Sequence, residues 1–276
     1  MDTSNITKNE AVEIACNTLA AIREKSPLVL NFTNTVVQPI TANLLLAIGA
    51  SPAMLSDGSE AEDMLRICAN ALLINVGTLS RAQSEEMEKA VAAAAKNSVP
   101  WVLDPVAVGL LGLRTNFVKK ILAAGTPPAL VRGNASEILA TAGYEAKTRG
   151  AESTCGSESA IEAGKQLARK TGGAVLVTGE TDFVTDGDKI AALGNGDIMM
   201  TRVTGVGCAM GALSAACVAV AETPFAGGVA SALIMGIAGN IAAERCRGSG
   251  SFAVELLDAM YNLSESDIHS RAIVRE

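Results

Sequence analysis

The chain has 276 residues, with 22 Lys+Arg against 29 Asp+Glu and a formal net charge of −7, a balance that opposes sequence-independent binding to nucleic acid. Hydrophobic residues make up 49% and charged residues 18%, which excludes disorder as the main description and gives enough length to bury a large core. One Trp, two Tyr and five Phe offer little to stack single-stranded bases on, and one histidine, His269, leaves Ser-His-Asp, Cys-His and His-rich metal sites almost without material.

Short apolar runs bounded by Gly, Pro or polar residues predict buried strands at 27–31, 71–76, 101–104, 129–132 and 174–178. Helical stretches fall between them at 80–97, with Ser80 as cap, and at 115–124, 134–142 and 157–171. Segments 181–185 and 189–193, joined by Asp186-Gly187-Asp188, predict a β-hairpin. The last third, 207–221, 225–245 and 251–263, reads as helix. Strand and helix in alternation predict an α/β fold whose mainly parallel sheet is covered on both faces, formed by residues 1–276 as one domain because no linker or repeat interrupts them.

Residues 203–221 and 223–243 carry no charged side chain and are long enough to span a bilayer. They are rich in Ala and Gly and lack basic flanks, so they read as buried helices packed through small residues, and no membrane partner is expected. The N-terminal stretch has no basic region followed by an apolar core, and no signal peptide is expected. The cysteines Cys16, Cys68, Cys155, Cys208, Cys217 and Cys246 contain no CxxC pair, which points to a reducing cytoplasm.

Several predicted strands end in polar residues or glycine: Asn75 and Gly77, Asp104, Arg132-Gly133-Asn134, and Thr178-Gly179-Glu180. Parallel strands bring these ends to one sheet edge, where open α/β sheets bind ligands; each alone also suits an ordinary turn. The segment VTGVGCAMG, 203–211, precedes an apolar helix. Gly205 and Gly207 permit a tight turn, and a helix starting near Gly207 aims free N–H groups at an anion; the pattern matches neither the P-loop nor the dinucleotide fingerprint. At such a helix start the dipole would lower the Cys208 thiol pKa, although a free cysteine is more commonly a small buried hydrophobe. Asp104 and Glu137 offer carboxylates for a Mg²⁺–phosphate complex, while Asn134 with Glu137 also fits a helix capping box. Arg132 suits phosphate oxygens, or is a surface charge.

The segments 33–54 (TNTVVQPITANLLLAIGASPAM), 71–80 (ALLINVGTLS), 101–109 (WVLDPVAVG), 131–139 (VRGNASEIL), 175–187 (VLVTGETDFVTDG) and 203–208 (VTGVGC) together resemble the hydroxyethylthiazole kinase family, ribokinase-like enzymes of thiamine salvage. The resemblance implies a three-layer ribokinase-like fold and transfer of the ATP γ-phosphoryl group to the hydroxyl of 4-methyl-5-(2-hydroxyethyl)thiazole, with Mg²⁺. It implies thiazole contacts from Met54, Gly205 and Asn34, ATP contacts from Arg132, Thr178 and Asn134, and magnesium held indirectly by Asp104 and Glu137. Gly205, Gly207 and Cys208 would form the catalytic anion loop. It further implies a homotrimer with active sites between subunits, whose contacts would bury Asn34 and the Ala- and Gly-rich faces.

Two departures stand out. Cys208 occupies the place where ribokinase-like enzymes commonly carry aspartate, and Leu30-Asn31 replaces a frequent His-Cys. Two other readings remain: a nucleotide-dependent dehydratase of hydrated nicotinamide cofactor on the same fold, and a non-catalytic nucleotide or azole sensor.

Overall fold

The computed structural model describes residues 4–144 and 155–275. In chain order the elements are β1 (Ser4–Asn5), α1 (Lys8–Lys25), β2 (Leu28–Phe32), α2 (Gln38–Ile48), β3 (Ser51–Met54), α3 (Gly58–Ile67), β4 (Ala71–Asn75), α4 (Arg81–Lys96), β5 (Trp101–Asp104), α5 (Gly112–Ala123), β6 (Leu130–Asn134), α6 (Ala135–Ala142) and α7 (Cys155–Thr171). They continue with β7 (Ala174–Thr178), β8 (Asp182–Thr185), β9 (Lys189–Leu193), a 3₁₀ turn (Ile198–Arg202), α8 (Val206–Val220), α9 (Pro224–Arg245), α10 (Ser249–Asn262), α11 (Glu265–Arg271) and β10 (Val274–Arg275).

The strands form one sheet in the order β1-β9-β8-β7-β6-β5-β4-β2-β3, with β10 also on β9. From β3 to β7 every pair is parallel, and the predicted hairpin β8–β9 joins antiparallel to β7. Because successive side chains on a strand point to opposite faces, the buried strands divide their apolar residues between two cores. Val29, Leu73, Val102, Leu130 and Leu176 face α1, α2, α8, α9 and α10, while Leu30, Leu72, Leu103, Val131 and Val175 face α3 to α7.

Local signals set the helix ends. Thr7 and Glu10 form a capping box that opens α1, and Ser26, at φ 44, closes it before Pro27. Ser80 caps α4 as predicted, accepting from the Gln83 amide.

The uncharged helices α8 and α9 pack through small residues. A Cβ at Gly227 would lie 2.9 Å from Val218 Cα, so only glycine permits this approach, and Ser214 Oγ donates to Ser231 Oγ across the pair at 3.0 Å. Helix α9 is long and apolar enough to cross a bilayer, yet 89% of its most apolar window is buried inside the protein. This burial corrects one expectation. The Ala- and Gly-rich faces need no partner subunit to cover them, and Asn34 is 5% exposed within the single chain.

Candidate active site

The carboxyl ends of β2, β4, β5, β6 and β7 carry a continuous polar row. Asn75 and Asp104 are register partners on adjacent strands, and both are fully buried. Asn34, just beyond β2, donates from Nδ2 to Asn75 Oδ1 at 3.1 Å; Asn75 Nδ2 donates to Asp104 Oδ2 at 2.5 Å. Arg132 Nη1 lies 3.6 Å from Asp104 Oδ1, and Arg132 Nη2 donates to Thr178 Oγ1 at 3.3 Å. Burial pushes the Asp104 carboxyl up to about 7; the Arg132 charge opposes that rise and the Glu137 charge adds to it.

Helix α8 begins directly above this row. Gly205, its N-cap, sits at φ 96, and a Cβ there would meet Ile40 Cγ2 at 2.7 Å and Val37 Cγ1 at 3.0 Å. Backbone conformation and contact with α2 both require glycine. The first intrahelical bond runs from the Ala209 amide to the Gly205 carbonyl, so the Val206, Gly207 and Cys208 amides of the first turn have no acceptor within the helix and suit an anion. A Cβ at Gly207 would lie 3.5 Å from both terminal nitrogens of Arg132, which sets the guanidinium beside that turn.

Cys208 Sγ accepts from Asn34 Nδ2 at 3.3 Å. The expected lowering of its pKa by the helix dipole is not met. Burial pushes the thiol up and the Asp104 charge adds to this, against opposing contributions from Asn75, Asn34 and Arg132. Desolvation disfavours the thiolate and is the largest contribution to the rise.

Glu137 is both a cap and a carboxylate at the site. Its Oε2 accepts from the Asn134 amide at 2.9 Å, and Asn134 Oδ1 accepts in return from the Glu137 amide at 3.0 Å, completing the box. Its Oε1 reaches the amide of Ala107, in the loop after β5, at 2.9 Å. Among the described residues no group of three or more acidic, histidine or cysteine side chains could hold a metal by itself. The donor set nevertheless fits Mg²⁺: Asp104 Oδ1 is buried with no hydrogen-bond partner, and hard carboxylate oxygens suit an ion that keeps water and phosphate in its shell.

A cleft of about 660 Å³ adjoins the row, lined by Arg132, Thr178, Gly179, Asp182, Gly207 and Met235 among others. Asp182 Oδ1 accepts from the Gly179 amide at 2.9 Å, and burial pushes its carboxyl up to about 6. One wall is held by Asn195, whose Nδ2 donates to Asn240 Oδ1 at 3.0 Å and to the Arg271 carbonyl at 2.9 Å.

Of the residues singled out in the sequence, Asn34, Asp104, Arg132, Thr178, Gly205, Gly207 and Cys208 converge here, and Glu137 joins through the Ala107 loop. Asn134 serves as the cap of α6 and does not line the cleft. Met54 ends β3, in register with Asn31 of β2. Asp182 and the Asn195–Asn240 pair carried no sequence signal, because their roles depend on partners far along the chain.

A parallel sheet with a helix start of unpaired amides, an arginine and a buried carboxylate at its carboxyl edge is an arrangement shared with ribokinase-like phosphotransferases. A pyridoxal kinase from Staphylococcus aureus has the same fold, with a TM-score of 0.60 and 16% identity over 78% of this chain and 87% of that one. More specifically, the profile of the hydroxyethylthiazole kinase family matches residues 19–266. The hydroxyethylthiazole kinase of Akkermansia muciniphila is 54% identical over 97% of this chain and 98% of that protein, and that of Leptospira biflexa 47% identical over 92% and 94%. The hydroxyethylthiazole kinase structure from Pyrococcus horikoshii superposes with a TM-score of 0.87 at 39% identity, over 95% of this chain and 98% of that one. The chain belongs to the hydroxyethylthiazole kinase family. It is an enzyme, and membership assigns it the phosphorylation of hydroxyethylthiazole, a step consistent with thiamine salvage, with ATP as co-substrate.

Proposed function

We propose that the γ-phosphoryl group of ATP passes to the primary hydroxyl of 4-methyl-5-(2-hydroxyethyl)thiazole at the polar row beneath α8. The observation that carries this reading is the unbroken series from Asn34 through Asn75, Asp104 and Arg132 to Thr178. Arg132 and Thr178 bind the nucleotide phosphates from the cleft side, with Asn134 at the adjoining helix start. Asn34, Met54 and Gly205 hold the thiazole alcohol at the other end. The Val206, Gly207 and Cys208 amides orient and stabilise the transferring group, which is the main requirement of a loose phosphoryl-transfer transition state.

Mg²⁺, when bound, neutralises charge on the phosphates, and Asp104 with Glu137 would hold it through water. Burial pushes the Cys208 thiol up, which works against its serving as a general base beside the acceptor hydroxyl. A transition state with little bond formation to the nucleophile tolerates this.

The chain is read as one domain on a single sheet, acting in the cytoplasm, where the free thiols described at Cys16, Cys68, Cys208, Cys217 and Cys246 stay reduced. A homotrimer with active sites between subunits is supported by apolar side chains left in solvent near the site elements, Val36 at 62%, Leu46 at 59% and Leu110 at 80% exposure. Sedimentation at low micromolar concentration tests this, and a fully active monomer would contradict it.

The activity is tested by coupled ADP release against a panel of azole and pyrimidine alcohols. ADP formation with the thiazole alcohol, lost when Asp104→Asn and Glu137→Gln are combined, is expected. Tight binding of both ligands without turnover would instead favour a sensor.

A further inference from the structure

We propose that Asn75 is a positioning residue that joins the two ends of the reaction site, its side-chain amide fixing both the carboxylate of Asp104 and the amide of Asn34. The proposal rests on the kinase reading above and extends it to a residue with no assigned role.

The hydrogen bonds leave Asn75 one orientation. Its Oδ1 accepts from Asn34 Nδ2 at 3.1 Å and from the Gly77 amide at 2.9 Å. Both of those partners are donors, so exchanging the oxygen and nitrogen of Asn75 would set N–H against N–H. Its Nδ2 therefore faces Asp104, donating to Oδ2 at 2.5 Å. That bond occupies Asp104 Oδ2 and directs Oδ1 toward Arg132, 3.6 Å away.

On the other side Asn34 is equally constrained. Its Oδ1 accepts from the Val36 amide at 3.2 Å, so its Nδ2 must serve Asn75 and Cys208 Sγ together. A Cβ at Gly77 would meet Asn34 Nδ2 at 2.7 Å and Asn34 Cβ at 2.9 Å, so the side chain is wedged against that backbone. Asn75 is fully buried and Asn34 nearly so, which keeps bulk water from substituting for a lost partner. Donation thus runs in one direction, from Asn34 to Asn75 to Asp104. A carboxylate that shifts at the phosphate end pulls on the amide facing Cys208 through two hydrogen bonds.

Calorimetric titration of the full chain with the thiazole alcohol alone, and separately with Mg²⁺–ADP alone, gives two dissociation constants for each variant. These constants do not depend on turnover or on the active fraction. With Asn75→Ala both rise, each by about tenfold, the scale of a lost hydrogen bond to a buried or charged group. Asn34→Ala raises only the first and Asp104→Asn only the second. Combining Asn75→Asp with Asp104→Asn keeps the row intact, since the carboxylate at 75 still accepts from Asn34 and Gly77 while the amide at 104 donates to it. Thiazole binding then returns toward the wild-type value and Mg²⁺–ADP binding stays weak.

The proposal is wrong if Asn75→Ala moves one constant and leaves the other unchanged, or if the exchange variant fails to restore thiazole binding. A wild-type chain that binds neither ligand removes the kinase reading instead. Should Asn75→Ala lose its cooperative melt, the exchange variant decides the matter alone.

Discussion

Gly211 lets α8 pass close over Asp104: a Cβ at 211 would lie 3.1 Å from Asp104 Oδ2 and 3.3 Å from Leu73 Cδ1. The carboxylate oxygen it would crowd is the one held by Asn75. Gly211→Ala is expected to lower kcat by about tenfold, because a displacement of a few tenths of an ångström misplaces the carboxylate proposed to hold magnesium. The gain in helix propensity, about 1 kcal/mol, offsets the crowding, so the melting temperature changes little. Unchanged kcat with a lowered melting temperature would show that Asp104 has room to move.

The anion loop sets backbone geometry against thiol chemistry. Gly205→Ala forces a side chain into a left-handed conformation and against Ile40 and Val37, tilting the first turn of α8. Cys208→Ser keeps that backbone and replaces the sulfur that accepts from Asn34 by a hydroxyl oxygen that can also accept. Gly205→Ala is therefore expected to reduce kcat/KM more than Cys208→Ser, whose loss should fall at or below the lower end, about 10²-fold, of a general-base contribution. Kinetics on both variants with matched melts decide it, and the reverse order would assign the chemistry to the sulfur.

Most of the fold was legible, for physical reasons that also explain what was not. The runs at 71–76 and 174–178 are nearly continuous in apolar residues because both faces of a parallel sheet are covered, and they appear as β4 and β7 within one residue. Helix α1 carried a readable signal, Thr7 and Glu10 before apolar residues at 11, 12, 15, 19 and 22, that the alternating pattern downstream overshadowed. The two-residue strands β1 and β10 have no signal of their own, since they exist only by pairing with β9. The same division runs through the site. Asp104, Arg132 and Thr178 stood out as polar residues at strand ends, whereas the link through Asn75 depends on which strands are neighbours. The sign of the Cys208 shift depends on burial, which a helix-end motif does not report.

Asp182 predicts a pH effect on stability. Burial raises its folded pKa to about 6, above the unfolded value, so the folded state holds a proton that the unfolded chain has already released. Its contribution is full below about pH 4 and is lost as pH rises through about 6. Asp182→Asn, which does not titrate and still accepts from the Gly179 amide, should gain melting temperature relative to the wild type between about pH 4 and about pH 7. A difference constant across that range would mean that the carboxyl is ionised in the folded state throughout.

The Asn195 clamp ties the cleft proposed for the nucleotide to the C-terminal strand. Its Oδ1 accepts from the Ile273 amide at 2.8 Å, in addition to its two donated bonds, and neighbouring Gly196 and Asp197 line the cleft. Asn195→Ala removes three hydrogen bonds to partly exposed partners and is expected to cost about 1–3 kcal/mol. The KM for ATP should rise while that for the thiazole alcohol stays unchanged. Equal rises in both would place the clamp's influence on the whole site.

The positive character of the site proposed for the nucleotide is concentrated at Arg132 and the first turn of α8, inside a chain whose net charge is −7. Such an arrangement separates encounter from capture. An approaching nucleotide would meet a repulsive field over distances comparable to the Debye length, about 8 Å at physiological ionic strength, and attraction is confined to Arg132 and the amides of the first turn of α8, because Glu180, Asp182 and Asp197 also line the cleft. Added salt therefore speeds arrival and weakens retention together. The two changes oppose each other in the affinity and reinforce each other in the rate of exchange.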